Sequence, residues 1–191
     1  CIRDSHGSTH GALSVQGSET YKNAFRPLLP DTFQIDFNDF AALELIDRHT
    51  ACVIIEPVQA EAGIIYPLPG FLEELRKCCS GNGALLIFDE VQTGFGRTGY
   101  MFAIDRFGVC PDILILAKAL GGGMPLGAFI SSKEYMSELH NDPELGHITT
   151  FGGHPVCCAA GLASLEVILE ENLPAGVAAK SDLFRKELSH D

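Results

Sequence analysis

Apolar residues cluster in four short, nearly continuous runs, and the longer stretches between them alternate apolar and polar positions. Runs of this kind are typical of strands that are buried on both faces of a sheet. They predict strands at Cys52–Ile55, Ala84–Phe88, Ile113–Leu116 and Gly127–Ile130. Strands that alternate with helices indicate an α/β fold with a mostly parallel central sheet flanked by helices.

A helix is predicted after Pro69, because the next apolar residues recur at helical spacing. One helical face carries Phe71, Leu72, Leu75, Cys78 and Cys79. Proline is favoured in the first turn of a helix and glycine at its end, so we expect the helix to stop at Gly81.

Two further helices are predicted downstream. Ser131 and Glu134 form a capping-box pattern that opens a helix through about Leu139. The segment 156–169 is apolar almost all round, which predicts a buried helix.

Composition narrows the class of protein. Hydrophobic residues make up 46% of the 191 residues and charged residues 20%, which is typical of a folded globular chain with a buried core. No apolar run approaches the roughly 20 residues that span a bilayer, and the first residues contain no apolar stretch of signal-peptide type. The net charge of −12 disfavours nucleic acid and membrane surfaces as partners, since both are anionic.

The seven cysteines are interpreted as free thiols. Two pairs are adjacent in sequence, Cys78–Cys79 and Cys157–Cys158, and several lie in apolar stretches, where a thiol behaves as a small hydrophobe. No CxxC and no zinc-ligand spacing are present, so no metal site is expected. We therefore expect a reducing compartment, the cytoplasm, with the mitochondrial matrix as the alternative.

Charged side chains follow three of the predicted strands: Glu56, the pair Asp89–Glu90, and Lys118. Ligands of parallel sheets bind beyond the carboxyl ends of the strands, which makes these residues the first candidates for a site. A carboxylate at Asp89 could cap a helix or form a structural ion pair, or it could keep a cationic partner charged. The Lys118 side chain could extend to solvent, or its neutral amine could attack a carbonyl group.

Glycine-rich and hydroxyl-rich segments surround these candidates. Gly121–Gly123 follows Lys118 and lets the backbone pass close to a ligand, although neither a Walker loop nor a G-x-G-x-x-G after a strand is present. The loop 92–99 is either a flexible connection or a ligand loop. Residues 147–153 offer hydroxyls before a helix, as phosphate sites do. His6 is either a structural histidine or a ligand contact.

Four segments together resemble the class III aminotransferases, most closely the ornithine and acetylornithine types. They are Glu56–Gly63 (EPVQAEAG), Asp89–Gly99 (DEVQTGFGRTG), Pro111–Gly123 (PDILILAKALGGG) and Thr149–Pro155 (TTFGGHP). Their order also agrees with that family, and Lys118 lies 29 positions after Asp89. The resemblance implies an enzyme of fold type I that uses pyridoxal 5'-phosphate (PLP).

The resemblance also implies roles for individual residues at the cofactor. Lys118 would form the Schiff base with PLP and later carry the proton, and Asp89 would hold the ring nitrogen protonated. Val91 would pack on the ring, and Gln92 would hydrogen-bond its phenolic oxygen. Thr150 would reach the phosphate of the neighbouring subunit's cofactor.

Three more residues are implicated by the same resemblance. His6 belongs to the matched His-Gly pair and is expected at the cofactor. Glu61 matches a glutamate that pairs with an arginine gating the substrate carboxylate, and Glu56 would support the floor of the site. The sequence departs from the family at Ser5, where an aromatic ring is expected, and also at Ala60 and His154.

The implied activity is transfer of an amino group from an ω-amino donor, such as ornithine or N-acetylornithine, to 2-oxoglutarate by a homodimer with shared active sites. Residues 1–191 would be an incomplete PLP-binding large domain, without the upstream phosphate loop and the C-terminal small domain. One alternative is another class III reaction, such as that of a 4-aminobutyrate or other ω-amino acid aminotransferase, an aminomutase or a decarboxylase. The other is a non-catalytic remnant, against which the presence of Lys118, Asp89, Gln92 and Thr150 argues.

Overall fold

The computed structural model of the protein describes residues 6–144 and 146–188. The chain forms two compact units. Unit 1 comprises the residues up to 89 together with 109–112, and unit 2 comprises 90–108 and the residues from 113 onward.

The described residues of unit 1 form three α-helices and two strands. In chain order these are α1 (His10–Val15), α2 (Glu19–Lys22), β1 (Cys52–Ile55), α3 (Phe71–Asn82) and β2 (Leu85–Asp89). Short 3₁₀ helices lie at Asn23–Phe25 and Ala41–Leu45. Strands β1 and β2 pair in parallel, from Cys52 opposite Leu85 to Ile55 opposite Phe88. The prediction for β1 is confirmed, and β2 begins and ends one residue later than predicted.

Helix α3 provides much of the core of unit 1. Its apolar face is fully buried at Phe71, Leu72, Leu75 and Cys79, as the helical spacing predicts. The predicted stop at Gly81 is wrong, because the helix continues to Asn82. Gly83 caps it instead, with a φ of 75° that glycine adopts without steric cost.

An ion pair ties α3 to the segment 109–112 of unit 1. The guanidinium of Arg76 donates to Asp112 at 2.7 Å, and the same carboxylate oxygen accepts from the backbone N–H of Leu86 at 2.7 Å. Both side chains are largely buried, so these charged hydrogen bonds are stronger than those between neutral groups. These hydrogen bonds fix the start of β2 and therefore help to fix the position of Asp89 at its other end.

In the described part of unit 2, the chain forms four α-helices and two strands. In chain order these are α4 (Ala103–Phe107), β3 (Ile113–Leu116), β4 (Ala128–Ser131), α5 (Lys133–Ser137), α6 (Pro155–Glu170) and α7 (Val177–Leu188). Short 3₁₀ helices lie at Lys118–Gly121, Glu138–His140 and Leu173–Gly176. The predicted bounds of β3 are confirmed, and β4 lies one residue later than predicted.

Strands β3 and β4 pair antiparallel, from Ile113 opposite Ser131 to Leu116 opposite Ala128. The sequence pattern did not indicate this direction. A parallel partner requires a crossover of a dozen or more residues, usually a helix. The segment between β3 and β4 contains only the short 3₁₀ turn, which returns the chain in the opposite direction.

Two helix predictions in unit 2 need correction. Helix α5 is capped by Ser132, whose hydroxyl accepts from the backbone N–H of Tyr135, and not by Ser131. The α-helix also ends at Ser137 and continues as a 3₁₀ turn. Helix α6 has the predicted position, but much of its apolar surface is exposed, and only Cys157, Gly161 and Ile168 are buried.

The six cysteines from Cys52 to Cys158 in the described ranges are all free, as predicted. Across residues 6–144 and 146–188, no helix has the length and apolarity needed to cross a bilayer.

Candidate active site

Asp89 is the last residue of β2 and is only 3% exposed. Its carboxylate therefore lies at the carboxyl end of the strand, where the sequence pattern predicts it. Nδ1 of His6 donates to Oδ2 of Asp89 at 2.8 Å, and both side chains are almost completely buried. His6 therefore orients the carboxylate, and a buried charge requires such a partner.

The two other carboxylates that the sequence placed in the site also lie in unit 1. Glu56 follows β1, is 4% exposed, and accepts from the backbone N–H of Ala60 at 3.0 Å. This bond closes the turn that leads to Glu61. The Glu61 side chain is exposed and forms part of the wall of a cavity.

That cavity has a volume of about 750 Å³ and is formed entirely by unit 1. Gly7 and Ser8, which directly follow His6, form one part of its wall. The rest is formed by Leu13, Gln16, Gly17, Ser18, Glu19, Tyr21, Phe25 and Glu61. A volume of this size is typical of small-molecule sites.

Lys118 lies in unit 2, two residues after the end of β3 and at the start of a 3₁₀ turn. Its φ of 45° lies in the left-handed region, which non-glycine residues seldom adopt. Backbone strain of this kind is found most often at functional sites. Nζ of Lys118 donates to Oε1 of Gln92 at 2.5 Å. Two of the four residues of this unit that the sequence assigned to the cofactor are therefore in direct contact.

The turn that carries Lys118 rests on helix α6. The hydroxyl of Ser164 donates to the carbonyl of Ala119 at 3.4 Å. A side chain at Gly161 would lie 2.7 Å from the carbonyl oxygen of Leu120, so glycine is required for this close approach. Helix α6 thus supports the backbone next to Lys118.

The other two residues of unit 2 that the sequence assigned to the cofactor are Val91 and Thr150. Val91 is partly exposed, next to Gln92 in the loop that follows β2. Thr150 is exposed, and its side chain makes no hydrogen bond within residues 6–144 and 146–188. Ser5, where the resemblance expects an aromatic ring, lies outside the described residues.

Sequence reasoning assigned no role to Glu90, although it named the residue. Glu90 is fully buried. Its carboxylate accepts from the backbone N–H groups of Ala103 and Ile104, at 2.6 and 3.0 Å, and from the hydroxyl of Thr93 at 3.0 Å. It therefore caps the start of α4 and anchors the loop that begins with Gln92. Burial raises the pKa of Glu90, although these hydrogen bonds oppose that effect. One sign of this role was available in the sequence. The residue before α4 is Phe102, whose side chain cannot cap a helix, so another residue must provide the cap.

The side chains at the ends of β2 and β3 fit the chemistry of PLP. A lysine amine can bond covalently to the aldehyde of the cofactor, and a buried carboxylate can pair with its pyridine nitrogen. Gln92 accepts a hydrogen bond from the amine of Lys118, and His6 donates one to the carboxylate of Asp89. Within the described ranges, no group of three or more histidine, cysteine or acidic side chains could hold a metal ion.

Comparison with solved structures shows close structural similarity to transaminases. An ornithine aminotransferase from Toxoplasma gondii is 36% identical, with a TM-score of 0.88 over 97% of this chain and 45% of its own. An (S)-enantioselective ω-transaminase from Thermomicrobium roseum is 34% identical, with a TM-score of 0.86 over 97% of this chain and 47% of its own. A Bacillus anthracis aminotransferase is 29% identical, with a TM-score of 0.87 and the same coverage.

The chain thus spans about half the length of these solved structures. The similarity confirms the predicted α/β class and its assignment to fold type I. The sequence model of the aminotransferase class-III family matches residues 3–191. Because that match covers almost every residue, this chain belongs to the class III aminotransferases, a PLP-dependent family.

Proposed function

We propose that the intact protein is a PLP-dependent aminotransferase that moves an amino group from an ω-amino donor, such as ornithine or N-acetylornithine, to 2-oxoglutarate. The observation that carries the proposal is the contact between Lys118 and Gln92 after β3, in a member of this family. When bound, PLP supplies a protonated pyridine ring that withdraws electrons from the substrate carbon bearing the amino group. The remaining steps belong to side chains of the protein.

Lys118 is the proposed nucleophile and proton carrier. A primary amine acts in both roles only when it is neutral and correctly placed. The left-handed backbone at Lys118 and its hydrogen bond to Gln92 support such placement. We expect Gln92 to release the amine toward the cofactor and to hydrogen-bond the phenolic oxygen of the ring, as the family resemblance implies.

Asp89 is the proposed partner of the pyridine nitrogen. A carboxylate keeps that nitrogen protonated, and the positive charge makes the ring an electron acceptor. The hydrogen bond from His6 supports this role, because it orients the carboxylate of Asp89. His6 is therefore proposed as the residue that positions Asp89.

Four further residues are proposed from the family resemblance. Val91 would pack on the cofactor ring, and Thr150 would contact the phosphate of the other subunit's cofactor. Glu61 would pair with an arginine that gates the substrate carboxylate, and Glu56 would support the floor of the site near Asp89. The burial of Glu56, which is 4% exposed, and its hydrogen bond from Ala60 N–H support a structural role of this kind.

The assembly and location of the protein are part of the same proposal. We infer a homodimer, and the exposed apolar residues near Thr150 support it, since Phe151 is 80% exposed and Ile148 is 72% exposed. Residues 1–191 are proposed as part of the PLP-binding large domain. The free cysteines support a reducing compartment, which we propose to be the cytoplasm.

A second donor class is supported by one comparison. The similarity to an ω-transaminase at 34% identity favours other primary amines as donors in place of ornithine. Such an enzyme would use the same Lys118 and Asp89 and would differ in the pocket that receives the rest of the donor.

The test is a visible absorption spectrum of the full-length protein with PLP, recorded before and after addition of ornithine. We expect a yellow absorption band that bleaches with ornithine. Lys118→Ala should lose both the band and transamination, whereas Lys133→Ala, which removes an exposed lysine from α5, should keep them. A band that ignores ornithine but bleaches with another primary amine favours the second donor class. A folded protein with no band refutes the proposal.

A further inference from the structure

The buried carboxylate of Glu90 has no part in the proposed chemistry, although it directly precedes the turn that carries Gln92. Glu90 is fully buried and belongs to unit 2. Its carboxylate accepts from the backbone N–H groups of residues 103 and 104 and from the hydroxyl of Thr93. The first two bonds cap helix α4. The third contributes nothing to the cap, so it requires a different explanation.

The third bond ties the carboxylate to the turn 91–94. Thr93 directly follows Gln92, is only 4% exposed, and donates its hydroxyl hydrogen to Oε2 of Glu90 at 3.0 Å. The backbone N–H of Gly94 donates to the carbonyl oxygen of Glu90, also at 3.0 Å. Both bonds return to Glu90 from residues just beyond Gln92. They therefore close the turn and restrict the position of Gln92 within it.

The backbone of Glu90 is also bonded to the strand that leads to Lys118. Its N–H group donates to the carbonyl oxygen of Ile115 in β3 at 2.9 Å. Ile115 lies three residues before Lys118, whose amine donates to the side chain of Gln92. Glu90 is thus bonded both to the strand before the lysine and to the turn that carries the glutamine. Bonds to both segments fix the separation at which the amine and the amide meet.

One atom of the carboxylate holds both the turn and helix α4. Oε2 of Glu90 accepts from Thr93 and from the backbone N–H of Ala103, and Oε1 accepts from Ile104. A carboxylate oxygen forms stronger hydrogen bonds than a neutral acceptor, and exclusion of water strengthens them further. Removal of the Thr93 hydroxyl would release the turn while both bonds to α4 remain.

We propose that Glu90 is a positioning residue of the proposed aminotransferase. Its carboxylate fixes the turn 91–94 through Thr93. The fixed turn in turn lets Gln92 hold the amine of Lys118 in place. The inference rests on the proposed function and adds to it a residue that acts on the lysine only through Gln92. The competing explanation is a purely structural role, in which Glu90 caps α4 and has no effect on the lysine.

Substitutions at Thr93 and Glu90 distinguish these two roles. Thr93→Val keeps the branched shape and removes the hydroxyl, and Thr93→Ser keeps a hydroxyl and should restore the wild-type behaviour. Glu90→Ala removes the whole carboxylate. Asp105→Ala is its matched control, because Asp105 is exposed and accepts from the backbone N–H of Phe102 at 3.2 Å, at the same end of α4. Thr93→Val is expected to fold even if Glu90→Ala does not.

The first readout is the visible absorption band of the full-length protein loaded with PLP. Because Gln92 is proposed to hydrogen-bond the phenolic oxygen of the ring, Gln92→Ala should shift the maximum of this band. Thr93→Val and Glu90→Ala should shift it in the same direction, whereas Thr93→Ser and Asp105→Ala should keep the wild-type maximum. With ornithine and 2-oxoglutarate, Thr93→Val should lower kcat about threefold or more and change KM by less than about twofold.

A double variant shows whether the effect passes through Gln92. Thr93→Val added to Gln92→Ala should change neither the band nor kcat further, because the side chain that transmits the effect is already absent. A structural effect on α4 would instead add to the effect of Gln92→Ala.

Acetylation of Lys118 by N-hydroxysuccinimidyl acetate tests the same contact in the full-length protein without PLP. An amine bonded to Gln92 reacts more slowly than a free one, so Gln92→Ala and Thr93→Val should each raise the rate about threefold or more. Peptide mass spectrometry measures the rate, and the exposed Lys133 should react equally in every variant, as an internal reference.

The outcomes separate this inference from the proposed function. If the wild-type protein forms no band and turns over no amine, the proposed function fails, and the acetylation rates still decide the inference. A Thr93→Val variant with the wild-type band, kcat and acetylation rate overturns the inference and leaves the aminotransferase intact. Effects of Thr93→Val that add to those of Gln92→Ala, or a Thr93→Ser variant that behaves like Thr93→Val, also overturn it.

Discussion

Replacing Gly161 with alanine adds one methyl group where helix α6 meets the turn that carries Lys118. The new Cβ would lie 2.7 Å from the carbonyl oxygen of Leu120 and 2.8 Å from a methyl group of Leu126. Both distances are well inside normal contact, and the Leu120 oxygen belongs to the backbone, so it cannot move without moving the turn. Overpacking of this kind costs roughly 1–3 kcal/mol.

Part of that cost is offset, because alanine favours a helix over glycine by about 1 kcal/mol. Gly81 in helix α3 supplies the matched control, since a Cβ there would meet nothing within 4 Å. The gain in helix propensity is similar in both variants and cancels when they are compared. We therefore expect the free energy of unfolding of Gly161→Ala to be lower than that of Gly81→Ala by about 1–3 kcal/mol.

Urea denaturation of the two full-length variants, followed by circular dichroism, measures that difference. Gly161→Ala should also lower kcat and change the absorption of the PLP-loaded protein, because displacement of Leu120 displaces Lys118. Gly81→Ala should do neither. Equal free energies of unfolding, or a destabilised Gly161→Ala with unchanged kcat and spectrum, would refute the idea that close packing of α6 positions the lysine.

Three further predictions concern single side chains. Asp89→Asn should keep the fold but lower kcat on the order of 100-fold, since an amide cannot hold the ring nitrogen protonated; a small loss in steady-state assays would contradict this. Because burial raises the pKa of Glu90 above its unfolded value of about 4.5, its contribution to the free energy of unfolding should be greatest below that pH and fall as pH rises through the raised pKa. Glu90→Gln should lack this fall in urea titrations that start at pH 4.5 and proceed upward, and parallel curves for the two proteins would contradict the prediction. Burial raises the pKa of Cys79 to about 11, so iodoacetamide should spare it in the folded protein while labelling the exposed Cys110; peptide mass spectrometry showing equal labelling would contradict the structure.

The local pattern of the sequence determined the strands and the residues at their ends. Cys52–Ile55 and Ile113–Leu116 were predicted at the bounds that the structure has, because continuous apolar runs of this length form buried strands. The positions of Asp89 and Lys118 just after such runs marked them as candidates. The family resemblance then added roles for them that no spacing rule supplies.

Tertiary structure decided the features that depend on residues distant along the chain. The antiparallel direction of β4 follows from a short connection, and the exposure of α6 depends on which surfaces pack against it. Glu90 meets its partners at 103 and 104 only when the loop folds back, and a glutamine such as Gln16 carries no sign in the sequence that it will be buried. The periodicity of a sequence shows which side of a helix or strand is apolar. Contacts between distant segments form only when both segments are folded, so the periodicity of either one does not predict them.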